Sequence, residues 1–474
     1  MRTRLTSLIA AVVVVSVAPL AAQSQTDNSL KLSTANTTAA SEFRAGMSDF
    51  QNLSFDAAGA HFKAATDADP SFGLARVLYA STAVLDPNQQ NNELSRGVAD
   101  AARASNNELI IAAAYREASL GHTDAANALF RAASQLMPAD QLLAWSAAGA
   151  FGAPIATTRE FVMRHPDYAL GYNTLAYQAW LAGDRTAALA AAKRQVEILP
   201  NAPNPHDTYA EILQWNGNFA EAAAHYKQAT TTPPKFPEGF AGLAEVAALQ
   251  GQYDQARAYL NQAIGNAWTP AQKLTYMRQI VGTYALQGAP APPITKALEA
   301  AITEAKAQGD ARSTAVLYSQ LATVQANAGN VNAAHQSLAM SNAASATVPW
   351  NARYYAAMAH GIMKHWGPAG QELAALKTEA AADPNSVPKD WLAALEGFQL
   401  TAQGKPADAL PMLMAADTTN VLVMNRIAEA HAALGQAAVA AAWNNRVNAD
   451  YALNLADFTN VNSRHRAKVE TGSH

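Results

Sequence analysis

From residue 167 onward, large, small and polar positions recur along the chain with a fixed period of 34 residues. Aligning 167–200, 201–234 and 235–268 puts Tyr172, His206 and Phe240 at one position. Leu175, Tyr209 and Leu243 share the next, each followed by an alanine: Ala176, Ala210 and Ala244. Gly183, Gly217 and Gly251 coincide, and the residue after each is Asp184, Asn218 or Gln252. Ala188, Ala222 and Ala256 follow, then Ala192, Tyr226 and Leu260. Pro200, Pro234 and Trp268 close the three copies. The pattern predicts helix, turn, helix. Each glycine supplies the left-handed backbone that ends the first helix, and the polar residue after it helps to start the second. The alanines mark where two helices approach most closely, with large neighbours filling the gaps between turns. Alanine runs at 187–192 and 437–442 favour helix on propensity. No stretch alternates strictly with β-branched enrichment, so no strand is expected.

The pattern extends in both directions with altered lengths. Before it, Phe55, Ala58, Phe62, Ala65 and Pro70 repeat the second half of the unit, and Gly121, Ala126, Phe130, Ala133 and Pro138 repeat it again. Residues 71–106 form a looser pair and 139–166 a shortened one. Beyond Trp268 the turn glycines continue as Gly288, Gly329, Gly367, Gly404 and Gly435. The run Gly288-Ala289-Pro290-Ala291-Pro292-Pro293 predicts a stiff turn.

A period of 34 with large, small, Gly, Ala, large and Pro in this order resembles the tetratricopeptide repeat. The resemblance implies an all-α fold: an α-solenoid, wound as a right-handed superhelix, of about twelve helix–turn–helix repeats over 40–452. It further implies that the first helix of each hairpin lines an inner groove. In the three most regular copies the places facing that groove hold Asn173, Tyr177 and Trp180, then Asp207, Glu211, Gln214 and Trp215, then Glu245. Aromatics provide adaptable apolar contact and carboxylates orient basic groups, a mixture suited to an extended peptide segment. Trp180 and Trp215 serve equally well buried between hairpins. The Lys and Asn set with which some family members clamp a C-terminal carboxylate is not evident.

The ends of the chain are of another kind. Arg2 and Arg4 precede a short apolar run, Leu8–Val17, and small residues end it at Ala22. These are the parts of a signal peptide over 1–22, and the run is too short to span a membrane. Cleavage before Gln23 is expected, with the mature chain exported to the periplasm or outside a bacterial cell. Residues 23–39, rich in Ser, Thr, Asn and Gln, are expected to be a flexible leader. Residues 453–474 are expected to be a polar capping helix and tail, with Arg464, His465, Arg466 and Lys468 solvated on it.

Composition narrows the chemistry. The net charge is −4, and loss of Arg2 and Arg4 leaves −6, which argues against nucleic acid as the main partner. The absence of cysteine excludes disulfides, thiol catalysis and cysteine-ligated zinc. No zinc-protease, nucleophile-elbow or dinucleotide motif is present. His360 and His365 are five apart, which on one helix puts them on different faces and disfavours a metal pair. His206-Asp207 reads as a solvated or capping pair at a helix start. No catalytic residue, metal or cofactor is expected. The sequence therefore points to a non-catalytic protein- or peptide-binding scaffold of the cell envelope, without a membrane span once the signal is removed. An enzyme with a motif-less site in the groove and a purely structural spacer are the alternatives.

Overall fold

The structure, a computed structural model, describes residues 30–51, 54–83, 87–148, 152, 154–231 and 236–472. The expected signal peptide lies outside these residues. The described residues form twenty-five α-helices and no strand. Twenty-four of them end before residue 450, the number that twelve hairpins require. The all-α repeat fold expected from the 34-residue period is therefore the fold observed.

The chain divides into two compact units, the first reaching Leu213 with 232–234, the second holding Gln214–Thr231 and Lys235–His474. The first contains α1 (Thr37–Gln51), α2 (Phe55–Ala68), α3 (Gly73–Thr82), α4 (Pro87–Ala104), α5 (Asn106–Ser119), α6 (Thr123–Leu136), α7 (Gln141–Ala147), α8 (Ile155–Arg164), α9 (Ala169–Leu181), α10 (Arg185–Ile198) and most of α11 (Pro203–Trp215). The second contains α12 (Phe219–Thr231), α13 (Pro237–Leu249), α14 (Tyr253–Gly265), α15 (Pro270–Gln287), α16 (Ala291–Ala307), α17 (Ala311–Asn327), α18 (Val331–Ala344) and α19 (Trp350–Ile362). It continues through α20 (Trp366–Ala382), α21 (Lys389–Ala402), α22 (Pro406–Ala415), α23 (Val421–Ala433), α24 (Ala437–Asn448) and α25 (Phe458–Thr471).

In the first unit Phe43, Phe62 and Phe72 form an aromatic centre, with ring centroids 5.7 and 5.0 Å from Phe43. Leu30 and Leu32 pack against the same core. The backbone N–H and hydroxyl of Ser33 donate to the buried Glu108 carboxylate at 2.5 and 2.7 Å. The Thr34 hydroxyl donates to Asp69 at 2.5 Å, and Asn36 caps α1 by accepting from the Ala39 N–H at 3.1 Å. The later part of the expected flexible leader is therefore a strap fixed by hydrogen bonds, and α1 begins inside it.

All six repeat alanines, Ala176, Ala188, Ala210, Ala222, Ala244 and Ala256, are completely buried. Their recurrence reflects close helix packing. Ala210→Leu should destabilise the first unit by about 1–3 kcal/mol through overpacking. An unchanged chemical-denaturation midpoint for that unit would contradict this.

The turn glycines take positive φ as expected, Gly183, Gly217 and Gly251 at 80°, 81° and 76°. One expected turn is misplaced. Gly367 lies inside α20, and the left-handed residue between α19 and α20 is Lys364, φ 60°. The proline run is absorbed without a break: Gly288 ends α15, and Pro292 and Pro293 sit in the first turn of α16, where a missing N–H costs nothing.

Candidate binding groove

The places expected to face a ligand fall in both units. In the first, Asn173 is buried, and its amide donates to the Thr208 hydroxyl at 2.8 Å. It joins α9 to α11 and does not face a groove. The expectation fails because a buried amide between helices carries the same residue pattern as an exposed one. Tyr177 and Glu211 form a single device: the half-buried tyrosine donates to the carboxylate at 2.6 Å. Burial, with Glu211 and Asp207 close by, pushes the Tyr177 hydroxyl well above its ordinary range, so it remains a donor. Asp207 is itself half-buried. Trp180 is half-buried with the Arg185 guanidinium 3.2 Å from its ring centroid. His206, expected to be solvated or capping, is buried with its Nε2 2.9 Å from the Pro200 carbonyl. The ring packs because it occupies the same large-residue position as Tyr172 and Phe240.

In the second unit the inner face is already filled. Residues 450–454 are irregular, with the Leu453 N–H donating to the Tyr451 carbonyl at 2.9 Å; the chain turns at Leu455 and Ala456 and continues as α25. This segment lies against α15, α23 and α24. Leu453, Leu455, Phe458 and Val461 are buried in the same core as Leu274, Val281, Tyr355 and Leu422. The approach to α15 is so close that a Cβ on Gly282 would lie 1.8 Å from the Leu455 carbonyl oxygen. Arg278 donates to the Ala456 carbonyl at 3.4 Å. Tyr451 meets the Phe219 ring edge-on at 5.1 Å, and Phe458 meets Tyr355 at 6.3 Å.

Two of the expected groove residues belong to this arrangement. Gln214 is fully buried, and its amide donates to Glu245 at 3.2 Å and to the Tyr451 carbonyl at 3.4 Å. Its oxygen accepts from Tyr226 at 3.0 Å. Gln214 thus contacts the C-terminal segment of the chain itself. Trp215 beside it is half-buried.

The segment carries its own scaffolding. Asp457 caps α25 by accepting from the Thr459 and Asn460 N–H groups at 3.1 and 3.0 Å. Arg464 donates to Asn460 at 2.8 Å, to the Ala452 carbonyl at 3.1 Å and to the Asp450 carbonyl, tying the arm back onto the helix. Arg466 pairs with Glu429 of α23, which also pairs with the buried Arg426 at 2.5 Å. Lys468 is lowered by burial and by Arg464. One face of the terminal helix is therefore interior, with Arg464 buried and His465, Arg466 and Lys468 half-buried, where a solvated cap was expected. The polar character that suggested a cap serves hydrogen bonds within the segment and to its walls.

Burial alone would raise the Glu429 carboxyl, but Arg426 and Arg466 more than offset it and hold the group below its ordinary value of 4.5. The stability it contributes is complete above about 4.5 and is lost as pH falls through the lowered folded value. Asp457, raised by burial, works in the opposite sense. Unfolding measured against pH should show the Glu429 contribution as the difference between the wild type and Glu429→Gln, vanishing toward acid. A difference that stays constant, or grows, as the pH falls from neutral into strong acid would contradict it.

A third arrangement was missed in the sequence. His360 and His365 do not share a helix, because α19 ends at Ile362 and the chain turns at Lys364. His365 returns beside His360, and His335 of α18 joins them. One ring nitrogen from each lies within 4.8 Å of those of the other two. The facing argument used for residues five apart fails here because it assumed a continuous helix.

These geometries define a stack of helical hairpins, the second unit of which packs the chain's own C-terminal segment against helices far away in sequence. A tetratricopeptide repeat is found by its family model at residues 216–267, largely within this second unit. Repeats of this kind generally act as protein-interaction scaffolds and are typically non-enzymatic. No curated protein matches the chain. Among solved structures it is similar to a thermophilic tetratricopeptide repeat protein of Thermus thermophilus, at 23% identity over 36% of this chain and 96% of that one, with a TM-score of 0.31. It is similar to the MamA protein at 15% identity, over 50% of this chain and 94% of that one, with a TM-score of 0.23. It is also similar to a chain of the Cut9–Hcn1 hetero-tetramer of the APC/C at 14% identity, over 77% of this chain and 76% of that one, with a TM-score of 0.37. Among the described residues no helix is long and apolar enough to cross a membrane.

Proposed function

We propose that the chain is a non-catalytic scaffold that binds protein segments on the inner face of its second unit, and that residues 450–471 occupy this face as a ligand in cis. The supporting observation is the seating of an irregular arm and helix against helices far away in sequence, by the devices of an interface. Main-chain carbonyls accept from wall side chains at Tyr451 and Ala456. Aromatic anchors meet aromatic walls at Tyr451 and Phe458, and one basic group pairs with a wall carboxylate. Buried anchors of this kind carry most of the energy of peptide recognition. A partner with aromatic, apolar and arginine side chains at similar spacing would compete with the segment.

A photo-crosslinking residue at Phe219, on the wall of the arm, tests this in cells. In the wild type it should link within the chain, to the arm near Tyr451. In Gly282→Ala, where the arm is displaced, it should link to other proteins. Absence of protein adducts from both forms, or co-purification of a tightly bound small molecule, would count against a peptide scaffold and favour an enzyme.

The proposal places the scaffold in the cell envelope on the strength of the charged, apolar and small-residue order of residues 1–22. The secreted protein should begin at Gln23 on N-terminal sequencing. A soluble cytoplasmic form that retains Met1 would overturn the location.

A further inference from the structure

The histidines gathered at the α19–α20 turn are used neither by the groove nor by the repeat packing. His335 projects from the second turn of α18 and is exposed. His360 lies in the last turn of α19 and His365 precedes α20, both half-buried. Ring centroids are 6.0 Å apart for His335–His360, 5.2 Å for His335–His365 and 6.3 Å for His360–His365. The rings of His335 and His365 are nearly parallel, at 12°.

The turn differs from the other left-handed turns in one respect: among the described residues Lys364 is the one residue other than glycine that holds a left-handed backbone, despite its Cβ. As at the other turns, that conformation brings an N–H back to the preceding helix, here His365 to the His360 carbonyl at 2.8 Å, and here the two residues so brought together are both histidines. The buried Nδ1 of His360 has no hydrogen-bond partner, and beside two further imidazoles a bound ion would satisfy it.

We propose that His335, His360 and His365 form a binding site for a divalent d-block metal ion of the zinc class. The donor set selects the metal. Three imidazoles suit Zn²⁺, Cu²⁺ and Ni²⁺, whereas Ca²⁺ and Mg²⁺ require oxygen ligands. Imidazole nitrogens bind zinc at about 2.0–2.1 Å, and three of them leave a fourth tetrahedral position open. The present spread of up to 4.8 Å between ligand atoms exceeds what such bonds allow. The exposed His335 ring is the one able to rotate inward, because its helix face is open to solvent. The ion would link α18 to the α19–α20 turn, with its open position toward the solvent side on which His335 lies.

The test is calorimetric titration of the full chain with ZnCl₂ after chelator treatment and dialysis. One equivalent should bind with a dissociation constant of micromolar order or tighter. His335→Ala, an exposed change that leaves packing intact, should weaken binding at least tenfold, and His360→Ala and His365→Ala should do the same. His225→Ala, a histidine of α12 outside the cluster, serves as the control and should leave binding unchanged. Co²⁺ should give visible absorption characteristic of low coordination in the wild type and lose it in His335→Ala. Absence of saturable binding, or equal binding by wild type and a folded His335→Ala chain, would overturn the site.

Discussion

Glu429→Ala should lower the stability of the second unit by about 3–5 kcal/mol, the usual cost of removing one partner from a buried ion pair. Arg426 is almost fully buried and pairs with this carboxylate at 2.5 Å, and Arg466 of α25 pairs with it too. Removing the carboxylate leaves two cations facing each other with one of them desolvated. Glu429→Gln keeps the shape and a hydrogen-bonding oxygen but loses the charge, so it should fall between alanine and wild type. Denaturation followed by hydrogen exchange on the second unit checks both changes. A loss below about 1 kcal/mol for the alanine variant would mean the pair is solvated and worth no more than a surface bridge.

Gly282→Ala should dislodge residues 450–471 while leaving the helices around them folded. Two effects oppose each other at this position. In the interior of α15, alanine is intrinsically better than glycine by about 1 kcal/mol. Against this, the added Cβ would lie 1.8 Å from the Leu455 carbonyl oxygen, a backbone atom that cannot move without moving the arm. Forced insertion of one carbon into a packed interior costs about 1–3 kcal/mol, and more where backbone must shift. Hydrogen exchange should therefore speed up across 450–471, and α13–α17 should keep their protection. If the variant were more stable than wild type with the arm still protected, the close approach to α15 would not exist.

The repeat was legible because its cause is local and periodic. Ala176, Ala210 and Ala244 recur every 34 residues since each hairpin meets its neighbour in the same way, and the buried alanines and left-handed glycines follow directly. The occupant of the inner face was not legible. Arg278 reaches Ala456 and Gln214 reaches Tyr451 across 178 and 237 residues, and no periodicity links such pairs. The polar sequence of α25 resembles a solvated cap because Arg464 and Arg466 show their charge in the sequence and their partners only in the fold. Asn173 misled in a related way: a polar residue on a first helix was read as facing ligand, while it is buried and joined to the Thr208 hydroxyl. The histidine cluster escaped because Lys364 ends α19 without glycine, so His360 and His365 looked like neighbours on one helix. A lysine in place of the expected turn glycine was the available signal.

The most direct test of the inner face as a ligand groove is exchange of its occupant. A protease site inserted after the exposed Ala449 allows the folded chain to be cut, leaving 450–474 held only by contacts. Labelled peptide of the same sequence is then added, and its incorporation is followed by fluorescence anisotropy while circular dichroism follows the helices. A groove exchanges the labelled peptide for the cut segment with the helical signal unchanged, and Gly282→Ala abolishes incorporation. A segment whose departure unfolds the second unit, or which never exchanges with the peptide, is permanent core, and the groove reading is then wrong.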